Sequence, residues 1–293
     1  VWQDIQLTIP PLRQYEDSSP FRPLRQFGSV REVQSDLTQH RRAAVTDIPA
    51  NERILLAFDA DDYLPSDGEF ISRILDRVGG IKVGSVPMHA RLRSDPRITV
   101  ASAVGSHLKN FHRGARRMDD PKLFELPYVM AGAARAMAAS GAWGFTVYEA
   151  NNDEGLIAAI ENCGESLVIG VGVPTYFKPR DSIRSFGEAT DVKALDFAIR
   201  FAKLGGHALV CAGHELEMLQ NAAATRDLIK IVPGIRDTDA SPDDQFRTMT
   251  AYEAIVRGAD YLVIGRPIME AKDPEAAIDR FVAQIEKGML HRH

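Results

Sequence analysis

The sequence predicts a (β/α)8 barrel, and three observations carry that expectation. Between Ile54 and Lys287 the chain alternates eight short apolar runs with longer amphipathic segments, the rhythm of βα units around a parallel sheet. The span suits one such barrel. The turn after the first run, Phe58-Asp59-Ala60-Asp61-Asp62, lacks the Gly-x-Gly-x-x-Gly pattern that a doubly wound open sheet, the competing architecture, would place there.

Residues 1–50 stand apart from this rhythm. They mix Pro10, Pro11, Pro20 and Pro23 with polar and charged residues, and only Val30 to Leu37 has the pattern of a short helix. They read as an arm that packs on the body or a partner, or as a partly disordered extension, with 51–293 as the barrel domain. Ile54 to Phe58 is the first strand. Gly80 to Gly84 is the second and carries Lys82 inside it. The third, Ala115 to Asp120, is polar, with Arg116 and Arg117 in it.

Ala131 to Ser140 is alanine-rich, with Met130, Ala134 and Met137 at helical spacing. Trp143 to Val147 and Ser166 to Val173 are strands four and five. Ala194 to Leu204 is a helix, Ala208 to Ala212 strand six, and Glu215 to Ala222 a helix. Leu228 to Val232 is strand seven, Ala251 to Val256 a helix, and Tyr261 to Ile264 strand eight. Pro274 to Lys287 closes the barrel as an amphipathic helix, apolar at Ala277, Ile278, Phe281, Val282 and Ile285.

Composition narrows the function classes. Of 293 residues, 45% are hydrophobic and 26% charged, with a net charge of −5, so no basic field recruits nucleic acid or an anionic membrane. A small anionic ligand held by a local site stays open. Cys163 and Cys211 lie far apart with no Cys-x-x-Cys or His-rich companion, which points to neither zinc nor a disulfide and suits a reducing cytoplasm. No apolar run has the length of a membrane span, and no basic-then-apolar leader opens the chain, so neither anchor nor signal peptide is expected.

A barrel directs attention to the residues that end its strands, which share one face. Asp59 follows strand one, and Lys82 lies on strand two. Asp120-Pro121-Lys122-Leu123-Phe124-Glu125-Leu126-Pro127 follows strand three, packing two carboxylates around one ammonium. In a cleft such a cluster perturbs its own proton equilibria, whereas on a surface it is a solvated turn. Thr175 follows strand five, Pro233-Gly234-Ile235-Arg236 strand seven, and Gly265-Arg266-Pro267 strand eight. The loops after strands seven and eight of a barrel often hold a phosphate. Glycine lets backbone approach the anion there, and the planar guanidinium of Arg266 matches two oxygens. The blander reading of Gly-Arg-Pro is a strand-to-helix turn with a surface arginine.

With these residues in place, 54–286 resembles the orotidine 5′-phosphate decarboxylase family. The resemblance is carried by Leu-Ala-Phe-Asp59, Ile-Lys82-Val-Gly, Asp120-Pro-Lys122-Leu-Phe-Glu125-Leu-Pro127 and Val-Cys-Ala-Gly-His214-Glu215. It continues through Ile231-Val-Pro-Gly-Ile-Arg236, Asp244-Gln245 and Met249-Thr250 to Gly265-Arg266-Pro267-Ile268. It implies a metal-free, cofactor-free decarboxylation of orotidine 5′-phosphate in a homodimeric barrel. Lys82, Asp120, Lys122 and the acid at 125 would form the charge network, the last of them near the partner's site, and Asp59 and Lys82 would contact the ribose. Loss of carbon dioxide leaves a basic C6 vinyl carbanion, which Lys122 would stabilise and protonate while Asp120 sits against the substrate carboxylate. Pro233, Gly234, Gly265 and Arg266 would hold the phosphate.

The sequence also departs from the family. Its Asp-x-Lys-x-x-Asp motif ends here in Glu125, one methylene longer. Val129 stands where a threonine is usual, Thr175 replaces a base-contacting serine, and Thr238 aligns with a phosphate-contacting glutamine, with Gln245 further along the same loop. The segment 85–117 is long for the family. Two other readings follow from these changes. One is a magnesium-dependent relative acting on another phosphorylated substrate, with Asp120 and Glu125 as oxygen ligands. The other is a nucleotide-binding homologue with impaired chemistry. Elsewhere the bland reading is preferred. His214-Glu215-Leu216-Glu217-Met218 is not a zinc motif, and His214 is expected to cap or hydrogen-bond near strand six. His107, His112, Arg113, Arg116 and Arg117 read as a solvated basic face, and Cys211 as a core thiol.

Overall fold

The strands run β1 (Ile54–Phe58), β2 (Gly80–Val83), β3 (Arg116–Leu123), β4 (Gly144–Tyr148), β5 (Leu167–Val171), β6 (Ala208–Val210) and β7 (Ile229–Val232). Then come two two-residue strands, β8 (Ile235–Arg236) and β9 (Met249–Thr250), and finally β10 (Tyr261–Ile264). In this computed structural model the described residues are 42, 45–58, 73–84, 116–237 and 248–292. Eight strands pair in parallel and close as β1-β10-β7-β6-β5-β4-β3-β2, while β8 and β9 form a separate ladder beyond the end of β7. The barrel expected from the sequence is therefore present. Asp59, Thr238, Gln245, His107, His112, Arg113, the helix expected at Val30 to Leu37 and most of the long segment 85–117 lie outside the described residues.

Closure follows from strict alternation along each strand. Leu55, Met118, Leu167, Ile169, Ala208, Ile229, Ile231, Tyr261 and Val263 point inward and fill the barrel. Their neighbours Ile54, Leu56, Phe58, Ile81, Val83, Phe145, Val147, Val168, Leu209, Val232, Leu262 and Ile264 point outward and pack beneath the helices. Both layers are shielded from water, each large apolar side chain contributing about 1.5–3 kcal/mol on burial.

The α-helices that lie wholly within the described residues are α1 (Pro127–Ala139), α2 (Asp153–Glu161), α3 (Pro179–Phe186), α4 (Thr190–Lys203), α5 (Leu216–Asn221), α6 (Ala251–Val256), α7 (Arg266–Met269) and α8 (Pro274–Met289). Several start on signals readable in the sequence. Asn152 accepts from Gly155 N, Asp273 accepts from Ala276 N ahead of Pro274, and Thr250 forms a capping box with Glu253.

The base of the barrel is closed by charge as well as by packing. Val45 and Ile48 join the interior cluster, and Trp143 meets Tyr261 edge-on with ring centroids 5.0 Å apart. Buried Asp260 accepts from Lys230 N at 2.9 Å and Arg292 at 2.7 Å, and also pairs with Arg42. Arg53, 1% exposed, donates to Asp260 O and to the carbonyls of Val45 and Thr46, tying the chain ahead of β1 to the barrel.

Candidate active site

β3 does not stop where its polarity suggests. It was expected to end at Asp120 but runs to Leu123, so Asp120 and Lys122 stand on the strand, on the same inward face as Met118. Its register against β4 slips. Asp119 pairs with Phe145 and Leu123 with Val147, which leaves Asp120, Pro121 and Lys122 opposite the single Thr146. Pro121 brings no N–H to the ladder, and Lys122 takes a left-handed backbone with φ 51°.

That bulge points its charges into the mouth of the barrel. Lys122 Nζ donates to Asp120 Oδ2 at 2.8 Å, and Lys82 Nζ, arriving from β2, reaches the same oxygen at 3.5 Å. Thr146 Oγ1 donates to Asp120 Oδ1 at 2.8 Å and accepts from Lys122 N at 2.9 Å. Asp120 is nearly buried, whereas the Lys122 side chain is 41% exposed and faces open space.

The space is a cavity of about 350 Å³, large enough for a small ligand. Lys82, Asp120 and Lys122 line it on one side. Pro233, Gly234, Arg236, Gly265 and Arg266 line it on the other, with Val171, Pro174, Thr175 and Tyr176 between them. In the circuit of eight strands β3 and β7 lie directly across from one another. Gly234 has φ 77°, which a side chain would strain, and a Cβ on Gly265 would lie 3.1 Å from that of Ala57.

Of the expected site residues, Lys82, Asp120, Lys122, Thr175, Pro233, Gly234, Gly265 and Arg266 all line this cavity. Glu125 does not. It is exposed beside Phe124, Leu126 and Tyr128, which are 57%, 61% and 66% exposed, and its backbone carbonyl accepts from Asn151 at 3.0 Å. Asp120 and Glu125 thus do not line one cavity as a pair of metal ligands within the chain, and Asp120 already faces two ammonium groups.

Other lining residues were missing from the expected site, among them Met118, Tyr148, Tyr176 and Arg236, as was Thr146 behind them. Arg236 stood in the strand-end pattern, and Tyr148 ends a strand at the expected face. Burial pushes the Tyr148 phenol up, with Tyr176 and Asp120 adding to it, so it stays a neutral hydrogen-bonding group. Thr146 carried no signal, being one hydroxyl in an apolar strand.

Two expectations about nearby charges need correction. Arg117 is no part of a solvated face: it is 7% exposed and grips Asp119 with two bonds of 2.9 and 3.1 Å on the outer side of β3, under α1. Burial raises the Asp119 carboxyl and the guanidinium opposes that rise. Arg116 is half-buried and donates to Glu52 at 3.0 Å. At strand six Glu215, not the exposed His214, closes the turn by accepting from Ala212 N at 2.9 Å. Cys211 is buried in the outer core as expected, and burial lifts its thiol far above the usual range.

Just past Tyr148, Glu149 lies 2% exposed against Gly170 and Gly172, where a side chain on Gly170 would collide with it. Burial, with the nearby Glu215 charge adding and Arg200 opposing, pushes its carboxyl up from 4.5 to about 8. The folded protein therefore binds a proton that the unfolded chain releases, and stability falls as pH rises from 4.5 to about 8. Replacing Glu149 with Gln is expected to remove that slope, a change on the order of a few kcal/mol across the window, measurable by denaturant unfolding at several pH values. An unchanged slope would mean that Glu149 stays ionised in the folded state.

Residues 71–281 match the model of the orotidine 5′-phosphate decarboxylase / HUMPS family. An orotidine 5′-phosphate decarboxylase of Thermobifida fusca is 34% identical over 240 residues, covering 80% of this chain and 96% of that protein. One of Anaeromyxobacter dehalogenans is 32% identical, covering 78% and 95% respectively. The crystal structure of orotidine 5′-phosphate decarboxylase from Lactobacillus acidophilus superposes with a TM-score of 0.63 at 20% identity, covering 82% of this chain and 99% of that one. The fold, the match over most of the chain and these relatives together make the chain a member of the orotidine 5′-phosphate decarboxylase / HUMPS family.

Proposed function

We propose that the protein decarboxylates orotidine 5′-phosphate to uridine 5′-phosphate, a step of pyrimidine nucleotide synthesis, without a metal or cofactor. The observation that carries this reading is the Lys82–Asp120–Lys122 cluster facing Gly234, Arg236, Gly265 and Arg266 across one cavity. A nucleotide spans such a cavity with its phosphate at one wall and its base at the other. Arg266 and the glycine backbone take the phosphate, with Thr238 and Gln245 of the same loop as further contacts. Thr175 meets the base, and Asp59 and Lys82 meet the ribose.

At the reacting carbon the C6–carboxylate bond breaks, its electron pair stays on C6, and carbon dioxide leaves. The Lys122 ammonium is placed where that negative charge develops and gives it a proton, which the resulting amine recovers from solvent. Asp120, held on both oxygens by Thr146 and the lysines, stands against the departing carboxylate and disfavours the charged ground state.

The reading extends to a homodimer in a reducing cytoplasm. Phe124, Leu126 and Tyr128, all exposed around Glu125, form an apolar edge suited to a second copy. Glu125 would then serve the partner's cavity.

The test is to give the purified full chain orotidine 5′-phosphate with a chelator present. Loss of the substrate's ultraviolet absorbance is expected. No turnover with or without magnesium would remove the proposal.

A further inference from the structure

We infer that Thr146 is a positioning residue: its hydroxyl, in place of the β3–β4 ladder, fixes the direction of both the Asp120 carboxylate and the Lys122 backbone. The kinetic part of this inference rests on the decarboxylase reading.

The register slip opposite Thr146 sets up the need. Three residues of β3 crowd against one of β4, and regular ladder bonds cannot serve all three. Pro121 has no N–H, and as the residue before proline Asp120 is pushed to extended backbone. The burden falls on Lys122, whose φ of 51° is a region that a non-glycine residue keeps only when its surroundings hold it.

Thr146 supplies that hold. Its oxygen accepts from Lys122 N at 2.9 Å in the way a ladder carbonyl would. With one lone pair so engaged, its own hydrogen is directed to Asp120 Oδ1 at 2.8 Å. Fixing Oδ1 sets the rotation of the carboxylate and turns Oδ2 toward Lys122 Nζ at 2.8 Å and Lys82 Nζ at 3.5 Å. One hydroxyl therefore orients the acid directly and the lysine through its backbone. Thr146 is fully buried, so losing the hydroxyl takes from the Lys122 N–H and from Asp120 Oδ1 the partner that packing holds in place. Its branched Cβ also limits the directions the hydroxyl can take.

Three variants test this. Thr146→Val keeps the shape and removes both bonds, Thr146→Ser keeps both bonds, and Ser166→Ala removes a buried hydroxyl that donates to Ala142 O at 2.6 Å, at the far end of the barrel from the cavity. With orotidine 5′-phosphate, Thr146→Val is expected to lower kcat about a hundredfold, the scale of a small misplacement of reacting groups. KM should change no more than about threefold, because substrate contacts remain. Thr146→Ser should stay near wild type, and Ser166→Ala should lose stability without losing rate.

Hydrogen exchange at the Lys122 amide gives a readout that does not depend on activity. Protection is expected in the wild type and Thr146→Ser, with exchange at least about tenfold faster in Thr146→Val. Wild-type kcat in Thr146→Val, or a Lys122 amide still protected there, would overturn the inference. If the wild-type chain fails to turn over orotidine 5′-phosphate, the decarboxylase reading falls, while the exchange comparison still decides the role of Thr146. Should Thr146→Val fail to fold, Thr146→Ala carries the same comparison.

Discussion

Lys122→Ala is expected to lower turnover of orotidine 5′-phosphate by at least about a thousandfold while leaving uridine 5′-phosphate able to bind. The Lys122 ammonium lies 2.8 Å from Asp120 Oδ2, and its side chain is 41% exposed toward the cavity. No other ammonium is so placed among the described residues, since Lys82 reaches the same oxygen only at 3.5 Å, from β2. In the proposed mechanism Lys122 supplies both the proton and the positive charge that a C6 carbanion needs, so its loss should appear in kcat. The opposite wall, proposed to hold the phosphate, is untouched. Steady-state kinetics together with calorimetric binding of uridine 5′-phosphate check this. A rate within about tenfold of wild type would mean that another group donates the proton.

Arg266→Ala is expected to act at the other end of the ligand. A charge-assisted hydrogen bond from a guanidinium to phosphate contributes about 1.5–3 kcal/mol, so binding of uridine 5′-phosphate should weaken by roughly ten- to a hundredfold. Uridine, which has no phosphate, should bind about as before. Gly234, Arg236 and Gly265 also line that wall, which is why some phosphate affinity should survive. Equal weakening of nucleotide and nucleoside would refute a phosphate role for Arg266.

Much of the barrel was legible because its strands are short and buried on both sides, so they read as apolar runs between helical stretches. The polar third strand was the hard case. Arg116, Arg117, Asp119 and Asp120 interrupt any apolar pattern, yet alternation resolves them: Arg117 and Asp119 neutralise each other outside, and Asp120 and Lys122 face in. Only the paired structure shows that the strand continues through Pro121, because the bulge exists only against β4.

Helices α2 and α3 went unread for different reasons. The first is short, though Asn152 ahead of Asp153 marked its start, and the second, Pro-Arg-Asp-Ser-Ile-Arg-Ser-Phe, has little apolar content. Cavity-lining residues at strand ends were readable because a barrel gathers them on one face. Thr146 was not, since its two bonds arise from a register slip in the neighbouring strand. Glu125 was visible as a departure, and its exposure on an apolar edge gives that departure a place outside the chain's own cavity.

The proposed reaction breaks the C6–carboxylate bond in this cavity and returns a proton to C6. It is tested most directly by supplying orotidine 5′-phosphate to the full chain in deuterated buffer with a chelator, and following carbon dioxide release and the hydrogen at C6 of the product. One carbon dioxide per uridine 5′-phosphate formed is expected, with deuterium at C6. Unchanged substrate under these conditions and with added magnesium, or a product without deuterium at C6, would contradict it.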